Sequence, residues 1–100
     1  MAQLNYTAGA LADLGRLADF LIEADPVAAI QAAELIIEAI EILANHPFVG
    51  RRVEQDFREL VISHGQSGYV ALYSYESRDD TVLILAIRHQ RETGYFDTSA

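Results

Sequence analysis

At His46-Pro47 the hydrophobic period of this chain changes from that of a helix to that of a strand. That switch limits the fold to one in which a helical half packs against a sheet made by the other half. From Ala8 to about Ala24, Leu11, Leu14, Leu17, Ala18 and Leu21 recur at helical spacing, with Asp13, Arg16, Asp19 and Glu23 opposite. Thr7 is placed to cap this helix. Asp25-Pro26 stops it and starts another: proline disfavours helical geometry at the residue before it but fits the first position of a new helix, with Asp25 as cap. The second helix is expected from Pro26 to about Asn45. Ile30, Ala33, Ile36, Ile37, Ile40 and Leu43 make its apolar stripe, and Glu34, Glu38 and Glu41 its wet face. Helices joined this tightly lie side by side as an antiparallel hairpin.

Beyond the loop that holds Gly50, the pattern is that of strands. Phe57 to Ser63 is rich in branched apolar residues, and His64 to Gly68 is a turn by composition. Tyr69 to Tyr75 places Tyr69, Ala71, Tyr73 and Tyr75 on one face. A polar loop, Glu76 to Asp80, leads to Thr81 to Arg88, which is apolar on both faces and reads as a central strand. Gln3 to Thr7 alternates and reads as a short first strand. The expected fold class is therefore α+β, in the order β-α-α-β-β-β, with an antiparallel sheet packed against an N-terminal helical hairpin. One domain over residues 1–100 is expected, with a polar tail from Gln90 that is flexible from about residue 96.

The net charge is -8 and there is no cysteine. The first argues against a free-standing nucleic-acid binder, because phosphate contacts need a basic footprint. The second excludes a disulfide or a thiolate metal site. No apolar run approaches the roughly 18 residues that span a bilayer, and the N-terminus lacks a signal-peptide core, so a cytoplasmic location is expected. Residues 1–50 hold one arginine against seven acids, a net of -6, whereas residues 51–100 hold six against eight, a net of -2. Lysine is absent, so every fixed positive charge is a guanidinium suited to bidentate contacts.

Arg58, Arg88, His89 and Arg91 form the basic group of most interest, expected at the C-terminal edge of the sheet. They either grip a partner or pair with Asp56, Glu59 and Glu92 to finish the strand ends. Arg88 has the stronger case for a role, since it ends a very apolar strand. His46, His64 and His89 show no ligand spacing. Ser63, Ser67 and Ser74 lie in no nucleophile elbow, and Gly65 and Gly68 make no phosphate loop, since no helix follows. On the helical hairpin, Leu17, Phe20 and Ile22 cover more of the circumference than one core stripe requires. The surplus is either a broader core contact or a groove or dimer face that could receive an amphipathic helix.

Three pieces of the second half carry a family resemblance: His46-Pro47-Phe48-Val49-Gly50-Arg51, then Phe57-Arg58-Glu59-Leu60, then Ser67 to Tyr75 followed by Thr81 to Glu92. In this order, after a strand and two helices, they resemble the RelE/ParE superfamily of toxins from about residue 3 to Tyr95. The resemblance implies the toxin of a type II toxin–antitoxin, or plasmid stabilisation, system that is silenced by a cognate antitoxin whose C-terminal segment wraps it. RelE-like members cut mRNA in the ribosomal A site, and ParE-like members bind and poison DNA gyrase. RelE-like members carry an arginine after the tyrosine of the Gly-Tyr strand, where this chain has Val70. The expectation is thus a ParE-like, non-enzymatic inhibitor without cofactor or metal, in a hetero-oligomer with a ParD-like antitoxin. Target contacts are expected from Arg58, Arg88, His89, Arg91 and Tyr95, and antitoxin contacts from Leu17, Phe20, Tyr73 and Arg88. The alternatives are a RelE-like endoribonuclease using Arg91, Tyr95 and Arg58, and a non-toxic antitoxin-binding relative.

Overall fold

The computed structural model describes residues 1–54, 56–64, 67–92 and 94. Strand β1 (Gln3–Tyr6) leads into helix α1 (Ala8–Ala24) and helix α2 (Pro26–Glu41), which ends in a 3-10 turn, Ile42–Ala44. Four strands follow: β2 (Arg51–Glu54), β3 (Phe57–His64), β4 (Ser67–Glu76) and β5 (Thr81–His89). They form one sheet in the order β1-β5-β4-β3-β2. The helical hairpin covers one face of it.

Local chemistry explains the start of α1 and the junction between the two helices. The Thr7 hydroxyl accepts the Ala10 N–H at 3.1 Å and caps α1. Asp25 serves both helices. Its own N–H reaches the Leu21 carbonyl at 2.7 Å, and its carboxylate accepts the N–H groups of Val27 and Ala28 at 3.1 and 3.4 Å. Pro26 follows at the first position of α2.

The core forms where the hairpin meets β3, β4 and β5. Ile36, Ile40, Leu43, Tyr73, Val82, Ile84 and Ile87 are its largest fully buried side chains. Each such aliphatic side chain contributes about 1.5–3 kcal/mol relative to exposure. Tyr69, Ala71 and Tyr73 share the covered face of β4, as the alternation predicts.

Four findings differ from the sequence reading. First, β1 pairs with β5 in parallel, from Gln3↔Thr81 to Tyr6↔Ile84, so the sheet is mixed rather than wholly antiparallel. Second, β2 is an extra edge strand against β3. All four of its residues are exposed, so it has no buried face to leave a period in the sequence. Third, the buried line of α2 runs through Ala29, Ala32, Ile36 and Ile40, leaving Ile30 and Ile37 exposed at 60% and 42%. On α1, Leu11 is likewise exposed. Fourth, Asp13, expected on the wet face of α1, is buried. The unpaired edge of β5 explains this.

Candidate functional site

β1 accompanies β5 only as far as Ile84. Beyond that point the backbone groups of β5 on this side have no neighbouring strand, and side chains of α1 and its cap fill the role. The Thr7 hydroxyl donates to the Leu85 carbonyl at 3.2 Å. The Asp13 carboxylate accepts the Ile87 N–H at 2.9 Å, and the Arg16 guanidinium donates to the Ile87 carbonyl at 3.4 Å. A buried N–H without a partner costs about 1–3 kcal/mol, so the edge draws Asp13 inward. The register slips at this same place: Tyr73 faces Ile84 while Leu72 faces Ala86, leaving Leu85 as the extra residue of a bulge.

The chain turns sharply after His89. The Gln90 N–H reaches the Gly68 carbonyl at 2.9 Å and the Glu92 N–H the His89 carbonyl at 3.0 Å. The Arg91 N–H donates to His89 Nδ1 at 3.0 Å, which leaves the proton of the neutral ring on Nε2. His89 also stands edge-on to Tyr69, with centroids 5.4 Å apart. Arg88 donates to the carbonyls of His89, Gln90 and Glu92 at 3.3, 3.3 and 3.0 Å, gathering the turn. The Glu92 carboxylate accepts the His89 N–H at 2.8 Å through one oxygen and Arg16 Nη1 at 2.8 Å through the other.

A groove of about 470 Å³ opens beside this turn, lined by Leu17, Phe20, Leu21 and Tyr69 and, at its polar end, by Arg16, His89, Arg91 and Glu92. Its apolar wall includes Phe20, which is 76% exposed. The groove therefore joins Leu17 and Phe20, expected to meet an antitoxin, to His89 and Arg91, expected to meet a target.

The basic cluster expected from sequence is divided. Arg58 faces Tyr73 on the helix side of the sheet, and Arg88 faces Val70 on the other side. The two partners are three positions apart on β4, about 10 Å along the strand. Arg58 lies in a second groove, of about 540 Å³, with Phe48, Arg52, Phe57 and Tyr75. There it donates to the carbonyls of Phe48 and Gly50 at 3.1 and 2.8 Å and lies over the Phe48 ring, 5.1 Å from its centroid. Phe48 in turn meets Tyr75 edge-on.

Tyr73 is not on any surface. It is fully buried, its hydroxyl donating to the Pro47 carbonyl at 2.8 Å and accepting the Gly50 N–H at 2.9 Å. It therefore leaves the set of candidate antitoxin contacts. Burial raises the pKa of the Tyr73 hydroxyl, although the hydrogen bond from Gly50 and the charge of Arg58 oppose the rise. Tyr95 lies outside the described residues. Among the described residues, no group of three His, Asp or Glu stands close enough to hold a metal ion, and no helix is long and apolar enough to cross a membrane.

Sequence reasoning gave Asp13, Arg16 and Gly50 no role in the site and named Glu92 only as a pairing partner of the basic cluster. One signal was available for Arg16: it is the single cation in a half-chain with seven acids.

Comparison with known proteins agrees with this architecture. The family described as the ParE toxin of the type II toxin–antitoxin system parDE matches residues 4–94. Toxin RelE3 of Caulobacter vibrioides is 42% identical over 80 residues, covering 80% of this chain and 85% of that protein. Toxin RelE2 of the same organism is 37% identical over 89 residues, covering 89% and 96%. Among solved structures, a chain of the chromosomal ParDE system from P. aeruginosa aligns with a TM-score of 0.73 at 25% identity, over 87% of this chain and 94% of that one. The isolated E. coli RelE toxin aligns with a TM-score of 0.65 at 14% identity, over 93% and 88%, and supports the fold.

Fold and relatives together define a toxin of the RelE/ParE superfamily of type II toxin–antitoxin systems. Within that superfamily, the chain belongs to the ParE toxin family.

Proposed function

We propose that this toxin works as ParE-like proteins do, by binding DNA gyrase and poisoning it, and that a ParD-like antitoxin neutralises it in a cytoplasmic hetero-oligomer. The observation that carries the reading is the groove beside β5, which has an apolar wall of Leu17, Phe20, Leu21 and Tyr69 and a polar end with Arg91 and His89. Such a mixture of exposed aromatic and arginine side chains suits recognition of another protein. The position after the Gly-Tyr pair, Val70, is buried and apolar, so it offers no cation to a phosphate. Arg58, named for the nuclease reading, is instead tied to the loop carbonyls of Phe48 and Gly50. A net charge of -8 opposes docking on ribosomal RNA. The antitoxin partner is supported by the ParDE and RelBE assemblies in which similar folds occur.

A RelE-like, ribosome-dependent endoribonuclease is the second reading. The observations that favour it are the RelE names of the relatives and the presence of His89 and Arg91 in one groove, where a base and a cation would be needed. Expression without antitoxin separates the two. The gyrase reading expects growth arrest with cleaved chromosomal DNA trapped on gyrase and with intact mRNA. Cleaved A-site codons with unbroken DNA would replace it with the nuclease reading.

A further inference from the structure

We infer that Arg16 and Glu92 form a latch that positions the turn of residues 90–92 for target binding, so that a residue of the first helix governs toxicity by fixing where Arg91 stands. The inference rests on the toxin reading above, in which Arg91 and His89 are target contacts. Arg16 and Glu92 are 76 positions apart in the chain, and their side chains meet at 2.8 Å. Glu92 divides its two oxygens between Arg16 and the His89 N–H, so one carboxylate fixes the turn both to itself and to α1. Arg16 is held from its other side by the Ile87 carbonyl at 3.4 Å and by Asp13 at 3.5 Å, and Asp13 is locked to the Ile87 N–H. The guanidinium therefore cannot drift, and Glu92 closes onto a fixed partner. Arg91 lies in the chain between His89 and Glu92, has its N–H bonded to His89 Nδ1, and lines the groove.

Stability alone does not account for the arrangement. Arg16 and Glu92 keep 33% and 23% of their side-chain surface in water, and ion pairs so exposed add little to folding. What the pair does fix is geometry. With Glu92 released, the His89 N–H loses its acceptor, and the turn that presents Arg91 loses its tie to α1. Arg16 and Glu92 are thus positioning residues.

The test uses full-length toxin freed from co-expressed antitoxin, as wild type, Arg16→Lys, Arg16→Met, Glu92→Gln and the double variant Arg16→Met/Glu92→Gln. The first readout is growth-inhibitory potency. The second is amide hydrogen exchange at His89 and Glu92. Arg16→Met and Glu92→Gln should each lower potency about tenfold, and the double variant should be no worse than either, since both remove the same contact. Arg16→Lys, which restores a charge in reach of Glu92, should recover most of the activity. Exchange at His89 should speed up in the Met and Gln variants while the thermal midpoint of Glu92→Gln stays at the wild-type value. Glu92→Gln touches nothing in the core, so it remains informative if Arg16→Met fails to fold. Full potency in Glu92→Gln, or additive losses in the double variant, would overturn the latch. Growth arrest by the wild type with gyrase unaffected would remove the gyrase reading and leave the latch to be judged by the same variants. A wild type that does not arrest growth would remove both.

Discussion

Two knots hold the loops of this protein, and they are built from opposite materials. At one end of the sheet, Tyr73 reaches up from β4 and pins the segment from Pro47 to Gly50 through two neutral hydrogen bonds in a fully buried site. At the other, Arg16, Glu92 and Arg88 gather the turn after β5 with charged groups that water still reaches. A buried neutral knot is strong because each group it leaves unpaired would be costly. A partly exposed charged knot is weak in energy but directional, and it sets where Arg91 stands. The first belongs to folding and the second to the groove.

The largest effect should come from the neutral knot. A Cβ at Gly50 would lie 2.6 Å from both Cε1 and the hydroxyl oxygen of Tyr73 and 2.7 Å from the Glu59 carbonyl, which is backbone and cannot yield. Gly50→Ala should destabilise the protein by about 3 kcal/mol in urea denaturation. A loss below 1 kcal/mol, on the same estimate, would mean that the knot is loose.

Tyr73→Phe keeps the ring but leaves the Gly50 N–H and the Pro47 carbonyl unpaired, and should cost about 2 kcal/mol. The same hydroxyl gives a pH test. Its pKa is raised in the fold above the ordinary value of 10.0, so above pH 10 the unfolded chain releases its proton while the folded one retains it. The contribution is fully present below the ordinary value and is lost as pH rises through the folded one. Alkaline denaturation should therefore be less steep in Tyr73→Phe, and an identical pH dependence would contradict the role given to burial.

At the charged knot the expected stability effects are small. Glu92→Gln should change stability by about 0.5 kcal/mol or less and become indistinguishable from wild type at high salt. A loss like that of Tyr73→Phe would erase the contrast between the knots. Smallest of all in stability is Phe20→Ser, within about 0.5 kcal/mol because the ring is exposed. Its effect should fall on recognition, lowering antitoxin affinity about tenfold or more in calorimetry.

The contrast also explains what the sequence could and could not convey. The hairpin and the strands β3 and β4 were legible because one-sided burial imposes a period, β5 because it is a continuous apolar run, and the Asp25-Pro26 hinge because of proline's fixed geometry. β2 was not, since all its side chains face water. The parallel partner of β1 was invisible, because pairing across more than seventy residues leaves no local trace. Asp13 looked like a surface acid because its reason to be buried, the bare Ile87 N–H, exists only after β5 has outrun β1. Of the residues singled out from sequence as candidate contacts, Leu17, Phe20, His89 and Arg91 lie along one groove in the structure. Arg58 and Arg88 were selected for their charge, and the structure gives their guanidinium groups to backbone carbonyls in separate places.

The most direct test is DNA supercoiling by purified gyrase with increasing amounts of this toxin, alone and after addition of antitoxin. The account predicts inhibition with trapped, cleaved DNA, reversed by antitoxin and lost in Arg91→Ala. Uninhibited supercoiling in the presence of folded toxin that still arrests growth would contradict it.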